Sequence, residues 1–140
     1  FDLITPNERE TRFALGDQDS TIGGLSSLLQ AEAKYKNLIL KLGERGIFCS
    51  TNASATGDSY FSINTLSTNV VDAVGAGDAL LAYSTLTMLA TDSLIIAGIL
   101  GSVAAACECE LDGNIPIRPE DILEKIDNIE ELTKYNSRDY

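Results

Sequence analysis

The apolar positions of this chain form short strand-like runs in its first half and longer segments with helical spacing in its second half. Residues 38–42 are the clearest predicted strand, and residues 47–50 resume the strand pattern after a glycine-containing turn. Further strands are predicted at residues 3–5 and 60–63, and a β-like run at 69–71. The pair 38–42 and 47–50 is either a hairpin or two strands joined by a functional loop.

Helices are predicted by apolar periodicity together with capping residues. Asn7 is placed to cap the first helix, with Glu10 three residues later in the arrangement of a capping box. Gly23 and Gly24 weaken the first turn of the second helix, and Pro119 lies in the first turn of the last. The predicted helices run from the Asn7 cap to residue 15 and over 20–36, 77–90, 93–111 and 120–135, and a polar turn covers 52–58. Strands that lead into helices indicate a layered α/β domain with ligand sites at the carboxyl ends of the strands.

Composition narrows the classes of function. The chain has 140 residues, 44% of them hydrophobic, so one globular domain is expected. The net charge of −11 argues against a nucleic acid partner, and the absence of histidine excludes sites that need an imidazole. The apolar segment 79–107 is interrupted by Asp92, so it predicts two buried helices and no membrane partner.

Three cysteines, Cys49, Cys107 and Cys109, form an odd set without CxxC spacing. We therefore expect reduced, buried thiols in a cytoplasmic protein, with no redox role. The chain begins at Phe1 rather than at methionine, and we interpret it as a piece of a longer protein.

The candidate chemistry lies in the sequence GAGD at residues 75–78, between the β-like run and a long apolar helix. Gly75 and Gly77 permit a tight turn and a close approach of a ligand to the backbone. The start of the helix presents unpaired N–H groups to an anion, and Asp78 is placed to act there as a general base. The simpler interpretation of Asp78 is an acidic residue that complements the helix dipole.

Three motifs resemble those of the ribokinase-like, or PfkB, carbohydrate kinases. DAVGAGDAL at residues 72–80 is similar to the family signature DTxGAGDxF, NERE at 7–10 to its NxxE motif, and LKLGERG at 40–46 to its TLGxxG nucleotide loop. The motifs occur in the family order over most of the chain, which makes the resemblance specific. The surrounding sequence is most similar to the branch that contains heptose-phosphate kinases and ADP-heptose synthases.

This resemblance implies a ribokinase-like three-layer α/β/α fold. Residues 1–140 would be a partial kinase domain, the C-terminal half, without the N-terminal half and the lid. The implied reaction of the parent protein is ATP-dependent phosphorylation of a sugar or sugar-phosphate hydroxyl. The exposed edge of such a half sheet predicts a homo-oligomer or association with another chain.

The resemblance also implies the roles of single residues. Asp78 would be the general base, and the backbone N–H groups of Gly75, Ala76 and Gly77 would form the anion hole. Asn7 and Glu10 would orient Mg²⁺ and phosphate through water, with Glu10 as the magnesium residue, and Asp72 would contribute to a monovalent cation site for K⁺. The nucleotide-binding residues would be Asn7, Glu10, Lys41, Gly43, Gly46 and Ser102.

Several alternatives stay open at this point. Asn7 and Glu10 are also explained by a helix cap, and residues 43–46 by a plain turn. Ala73, Leu80, Tyr83 and Ser102 depart from the residues that the family usually has at these positions. The chain could instead be a non-catalytic nucleotide-binding or regulatory module, or an interaction fragment. A dinucleotide-binding oxidoreductase is disfavoured because Leu80 occupies the position of the third glycine of GxGxxG.

Overall fold

The computed structural model describes residues 1–52, 59–111 and 115–136. Its strands are β1 (Leu3–Ile4), β2 (Asn37–Lys41), β3 (Ile47–Thr51) and β4 (Ser59–Ile63). Its helices are α1 (Glu8–Leu15), α2 (Ile22–Ala33), α3 (Ala76–Thr91), α4 (Leu94–Glu110) and α5 (Pro119–Asn136). Most of the predicted polar turn, residues 53–58, lies outside the described residues.

The four strands form one sheet in the order β1-β2-β3-β4. β1 pairs with β2 in parallel, whereas β2, β3 and β4 pair antiparallel in succession. Lys41 lies opposite Ile47, so β2 and β3 form a hairpin closed by a 3₁₀ turn at Gly43–Arg45. This register shows that the pair is a hairpin, because the turn between the two strands is short enough to join them directly.

Helices α1 and α2 cover one face of the sheet. Leu38 and Leu40 alternate toward this face and pack with Leu25 of α2 in a cluster whose side chains are fully buried. Beside the cluster, the hydroxyl of Tyr35 donates to the Ser26 carbonyl oxygen at 3.0 Å. The apolar residues of α2 are thus anchored to the middle of β2.

Helices α3 and α4 cover the other face. Ile39, Ile47 and Cys49 point to this side and pack against Leu80 and Leu94. Together with α1 and α2, these helices enclose the sheet in three layers, as predicted. A third cluster, which includes Val103 and Ile122, joins α5 to α4. No helix in the described parts of the chain is long and apolar enough to cross a membrane.

Burial keeps the cysteine thiols protonated. All three cysteines are free, and Cys49 and Cys107 are buried. Burial raises the pKa of the Cys49 thiol to about 12, and it also raises the pKa of Cys107 and Cys109. The three side chains are therefore protonated at neutral pH, which makes them poor nucleophiles.

Two predicted elements differ from the structure. The β-like run at 69–71 is not a strand: the N–H of Val71 donates to the Cys109 carbonyl at 2.7 Å, at the end of α4, instead of to a neighbouring strand. α2 is shorter than predicted, because Thr21 caps its start and Lys34 adopts a left-handed conformation after its last turn.

Candidate functional site

A cleft of about 390 Å³ lies where the β2–β3 turn, the loop 64–75 and the helices α3 and α4 meet. It is of a size typical of small-molecule sites. Six of the residues proposed from the sequence line it, namely Lys41, Gly43, Gly46, Ala76, Gly77 and Ser102. The fold therefore brings together residues from three separate parts of the chain.

The start of α3 leaves two backbone donors available. Gly75 has φ 89° at the N-cap position, a left-handed conformation that favours glycine, and no side chain caps the helix. The N–H groups of Ala76 and Asp78 donate to the carbonyls of Ala73 and Gly75, at 3.4 and 2.9 Å. In the described part of the chain, the N–H groups of Gly75 and Gly77 have no acceptor. Two of the three predicted anion-hole residues thus offer a free amide, whereas the amide of Ala76 is engaged.

A cation lies beside Gly77. A Cβ atom added to Gly77 would lie 3.1 Å from Nζ of Lys41, the last residue of β2. The Lys41 ammonium has no hydrogen-bond or ion-pair partner among the residues that the structure describes. Because the helix start also carries partial positive charge, the Lys41 ammonium and the free amide of Gly77 are both suited to an anion. Gly75 does not line the cleft.

The two glycines of the β2–β3 turn have different surroundings. Gly43 has φ 64° with nothing within 4 Å of an added Cβ atom, so its backbone is open to a ligand. Gly46 has φ 87°, and an added Cβ atom would overlap the carbonyl oxygen of Ile63 and lie 2.7 Å from backbone atoms of Asn64 and Thr65. Gly46 is required by the packing of the turn against the end of β4, a reason that its motif does not reveal.

The capping box at the start of α1 is confirmed. The N–H of Glu10 donates to Oδ1 of Asn7 at 2.7 Å, and the N–H of Asn7 donates to Oε2 of Glu10 at 3.0 Å. Neither residue lines the cleft. Asn7 nevertheless bridges Lys41 in parallel register, so α1 begins next to the end of β2 from which Lys41 extends. A role of Asn7 and Glu10 toward metal or phosphate stays a prediction.

The two aspartates of the glycine-rich motif differ in their contacts. Asp78 lies in the first turn of α3 and is exposed, and its carboxylate has no partner within the described ranges. It does not line the cleft, although its neighbour Gly77 does. Asp72 accepts the N–H of Val74 at 2.9 Å and so shapes the turn before Gly75. No three acidic, cysteine or histidine side chains converge as a metal site in residues 1–52, 59–111 and 115–136.

The structure adds residues that the motifs did not indicate. The loop 64–75 contributes Thr65, Ser67 and Val70 to the lining, and α4 contributes Ala105 and Cys109 besides Ser102. The α4 residues lie three and seven positions after Ser102, which is the spacing of one helix face, and that periodicity could have indicated them. The loop residues have no comparable local signal.

The chain is similar to a known protein family. The sequence profile described as pfkB family carbohydrate kinase matches residues 1–121. A search of curated protein sequences gives no significant match.

Solved structures share the fold over part of their length. Ribokinase from Arabidopsis thaliana, complexed with ribose and ATP, is 24% identical with a TM-score of 0.75, and 89% of this chain covers 40% of that chain. Ribokinase from Thermotoga maritima is 25% identical with a TM-score of 0.74, and the match covers 91% of this chain and 42% of that chain. Phosphofructokinase-2 from Escherichia coli, in complex with potassium, is 17% identical with a TM-score of 0.75, at 89% and 40% coverage.

The chain thus spans about 40% of the length of these structures and has their ribokinase-like fold. Because the family profile matches most of its residues, the chain belongs to the pfkB family of carbohydrate kinases.

Proposed function

We propose that the cleft binds the phosphates of ATP and that the complete fold transfers a phosphoryl group to a hydroxyl of a sugar or sugar phosphate. The observation that carries this proposal is the position of the Lys41 ammonium beside Gly77, whose backbone N–H has no acceptor among the described residues. Phosphoryl transfer depends mainly on positioning and on stabilising negative charge, and this is what such donors supply.

The cleft lining suits a nucleotide. Its walls combine the open backbone at Gly43 with apolar side chains such as Leu80 and Ala105, and the Lys41 ammonium lies at the α3 end. Apolar walls with a few convergent polar groups are typical of cofactor and nucleotide sites. In this arrangement the base and ribose lie against the walls and the phosphates meet the start of α3.

Metal ions are proposed at the edge of this site. Oε1 of Glu10 and Oδ2 of Asp72 have no hydrogen-bond partner in the described segments, so each has an oxygen available. Hard cations prefer oxygen ligands and Mg²⁺ keeps several waters, so we assign Glu10 and Asn7 to Mg²⁺ held through water and Asp72 to K⁺. Magnesium bound there would neutralise charge on the phosphates.

Asp78 is the proposed general base. Its carboxylate is exposed and unpaired with other described residues, next to the open amide of Gly77, so it can accept the proton of an incoming hydroxyl. The acceptor sugar is not expected to bind this chain alone, because the chain spans about 40% of the related structures. We therefore expect nucleotide binding without sugar phosphorylation from this chain.

The first test is calorimetric titration of MgATP into the chain. Saturable binding is expected, and Lys41→Met should raise the Kd about 10- to 100-fold, the usual effect of losing a hydrogen bond to a charged group. Lys36→Met is the matched control, because Lys36 pairs with Asp2 in an exposed ion pair. Equal effects of the two substitutions would contradict the assignment of Lys41, and absence of binding would favour the interaction-fragment alternative.

The second test separates catalysis from binding. In a protein that carries the complete fold, Asp78→Asn should lower kcat on the order of 10²–10⁴-fold, because one general base is lost. The Kd for MgATP measured on the same variant should stay within about twofold, since Asp78 does not line the cleft. A variant with unchanged kcat would exclude Asp78 as the base.

A further inference from the structure

One wall of the cleft is the loop 64–75, which joins β4 to α3 and forms no helix or strand along its fully described length. It contributes Thr65, Ser67 and Val70 to the lining and ends at the N-cap residue Gly75. Because the loop forms no regular secondary structure, hydrogen bonds to other elements help to hold its shape.

The last turn of α4 supplies these bonds. Oε1 of Glu110 accepts the N–H of Thr68 at 2.9 Å and the Thr68 hydroxyl at 3.1 Å. The Cys109 carbonyl accepts the N–H groups of Val71 and Asp72 at 2.7 and 3.2 Å. The loop thus donates hydrogen bonds to acceptor groups at the end of α4, and these bonds hold the loop at two points, Thr68 and residues 71–72.

Glu110 is itself fixed by α5. Nζ of Lys125 lies 2.7 and 2.9 Å from its two carboxylate oxygens, and the Lys125 side chain is only 12% exposed. Burial raises the pKa of Glu110, but hydrogen bonds from Lys125 and Thr68 outweigh this effect and hold the pKa below its usual value. The carboxylate is therefore ionised at neutral pH, which strengthens its bonds to Thr68.

We infer that Glu110 is a positioning residue, which holds the loop 64–75 in the shape that keeps the N–H groups of Gly75 and Gly77 open to nucleotide phosphates. The connection continues through the loop, because Asp72 is fixed at Cys109 and in turn accepts the N–H of Val74, immediately before Gly75. Glu110 belongs to none of the three motifs. The inference rests on the proposed nucleotide site.

The experiment must separate the bonds to Thr68 from the ion pair with Lys125. Glu110→Ala removes both. The double variant Glu110→Lys/Lys125→Glu restores an ion pair between α4 and α5, but a lysine cannot accept the N–H of Thr68. Thr68→Val removes only the hydroxyl donor at an exposed position, and Glu131→Ala, an exposed acidic residue of α5, is the control.

Three quantities are measured for each variant: the Tm, the Kd for MgATP, and the hydrogen exchange of the Thr68 and Val71 amides. We expect Glu110→Ala to lower the Tm, to raise the Kd on the order of tenfold and to speed exchange at both amides. The double variant should recover the Tm without recovering the Kd or the slow exchange. Thr68→Val should raise the Kd by a smaller factor, and Glu131→Ala should change none of these quantities.

The results distinguish this inference from the proposed function. Recovery of the Kd together with the Tm in the double variant would overturn the positioning role, because the ion pair alone would then suffice. Slow exchange of the Thr68 amide in Glu110→Ala would overturn it as well, while leaving the nucleotide site intact. Absence of MgATP binding by the unsubstituted chain would overturn the proposed function and, with it, the role of Glu110.

Discussion

Gly43 and Gly46 both have a positive φ, 64° and 87°, but different space around them. An added Cβ atom at Gly43 meets nothing within 4 Å, whereas at Gly46 it would overlap the backbone at the end of β4. Spacing in the sequence identified both glycines as residues of a loop. It did not distinguish an open backbone from a crowded one, because the crowding comes from residues 63–65, which approach only in the folded chain.

This difference predicts unequal costs of substitution. Gly43→Ala should lower the free energy of unfolding by about 1–2 kcal/mol, the cost of a left-handed conformation for an L-residue. Gly46→Ala should lower it by more than about 3 kcal/mol, because backbone overlap adds to the same strain. Urea unfolding of the two variants measures the difference. Equal losses of unfolding free energy in the two variants would show that the backbone at residues 63–65 moves away from the added Cβ atom with no loss of stability.

At the scale of elements, the packing of α3 against α4 positions two walls of the cleft. The hydroxyl of Ser84 donates to the Ala97 carbonyl at 3.0 Å across the interface, and Ser84 is fully buried. An added Cβ atom at Gly101 would overlap Oγ of Ser84 and lie 3.1 Å from the Leu80 carbonyl oxygen. Close contact at this glycine therefore sets the distance between the helices that carry Gly77 and Ser102.

Gly101→Ala should separate the two helices and lower the free energy of unfolding by about 1–3 kcal/mol, the usual cost of overpacking. It should also weaken MgATP binding, because Gly77 and Ser102 line the cleft from different helices. Gly23→Ala is the control, since nothing lies within 4 Å of an added Cβ atom there and alanine favours the helix by about 0.5–1 kcal/mol. Thermal unfolding and MgATP titration of both variants test these two effects. A stabilised Gly101→Ala variant would contradict it.

At this scale the sequence predicted elements well where the signals were local. The capping box at Asn7 and the tight turn at Gly75 before α3 were correctly located. The β-like run at 69–71 was wrong, because valines favour strands only where a neighbouring strand is available. Here the backbone N–H groups of Val71 and Asp72 bond to the end of α4 instead.

The whole molecule exposes surfaces that its own described residues do not cover. β1 pairs only with β2 in the described part of the sheet, which leaves its second edge without a partner strand there. Several exposed apolar side chains lie on α3 and α4, namely Leu81, Leu86, Leu89, Ile95, Ile96 and Ile99. An open strand edge and an apolar patch favour association with another copy or another chain.

We predict that the chain self-associates through this patch. Leu89 is 81% exposed, and Leu89→Glu should shift the sedimentation coefficient toward the monomer by adding charge to the patch. Leu132→Glu makes the same change at a leucine of α5 that is 60% exposed, and it should leave association unchanged. Sedimentation velocity over a range of concentrations measures both. If the two variants had the same sedimentation coefficients, the contact between copies would lie outside this patch.

Apart from the β-like run at 69–71, the sequence by itself determined the succession of strands and helices along the chain, the cap at Asn7 and the glycine-rich turn before Asp78, because each depends on residues a few positions apart. Tertiary structure decided that the Lys41 ammonium lies beside Gly77, that the amide of Ala76 is engaged while its neighbours are open, and that Glu110 holds the loop 64–75. These features depend on contacts between residues far apart in the chain. Local pattern cannot specify them, because sheet pairing and helix packing set such distances only when the chain folds.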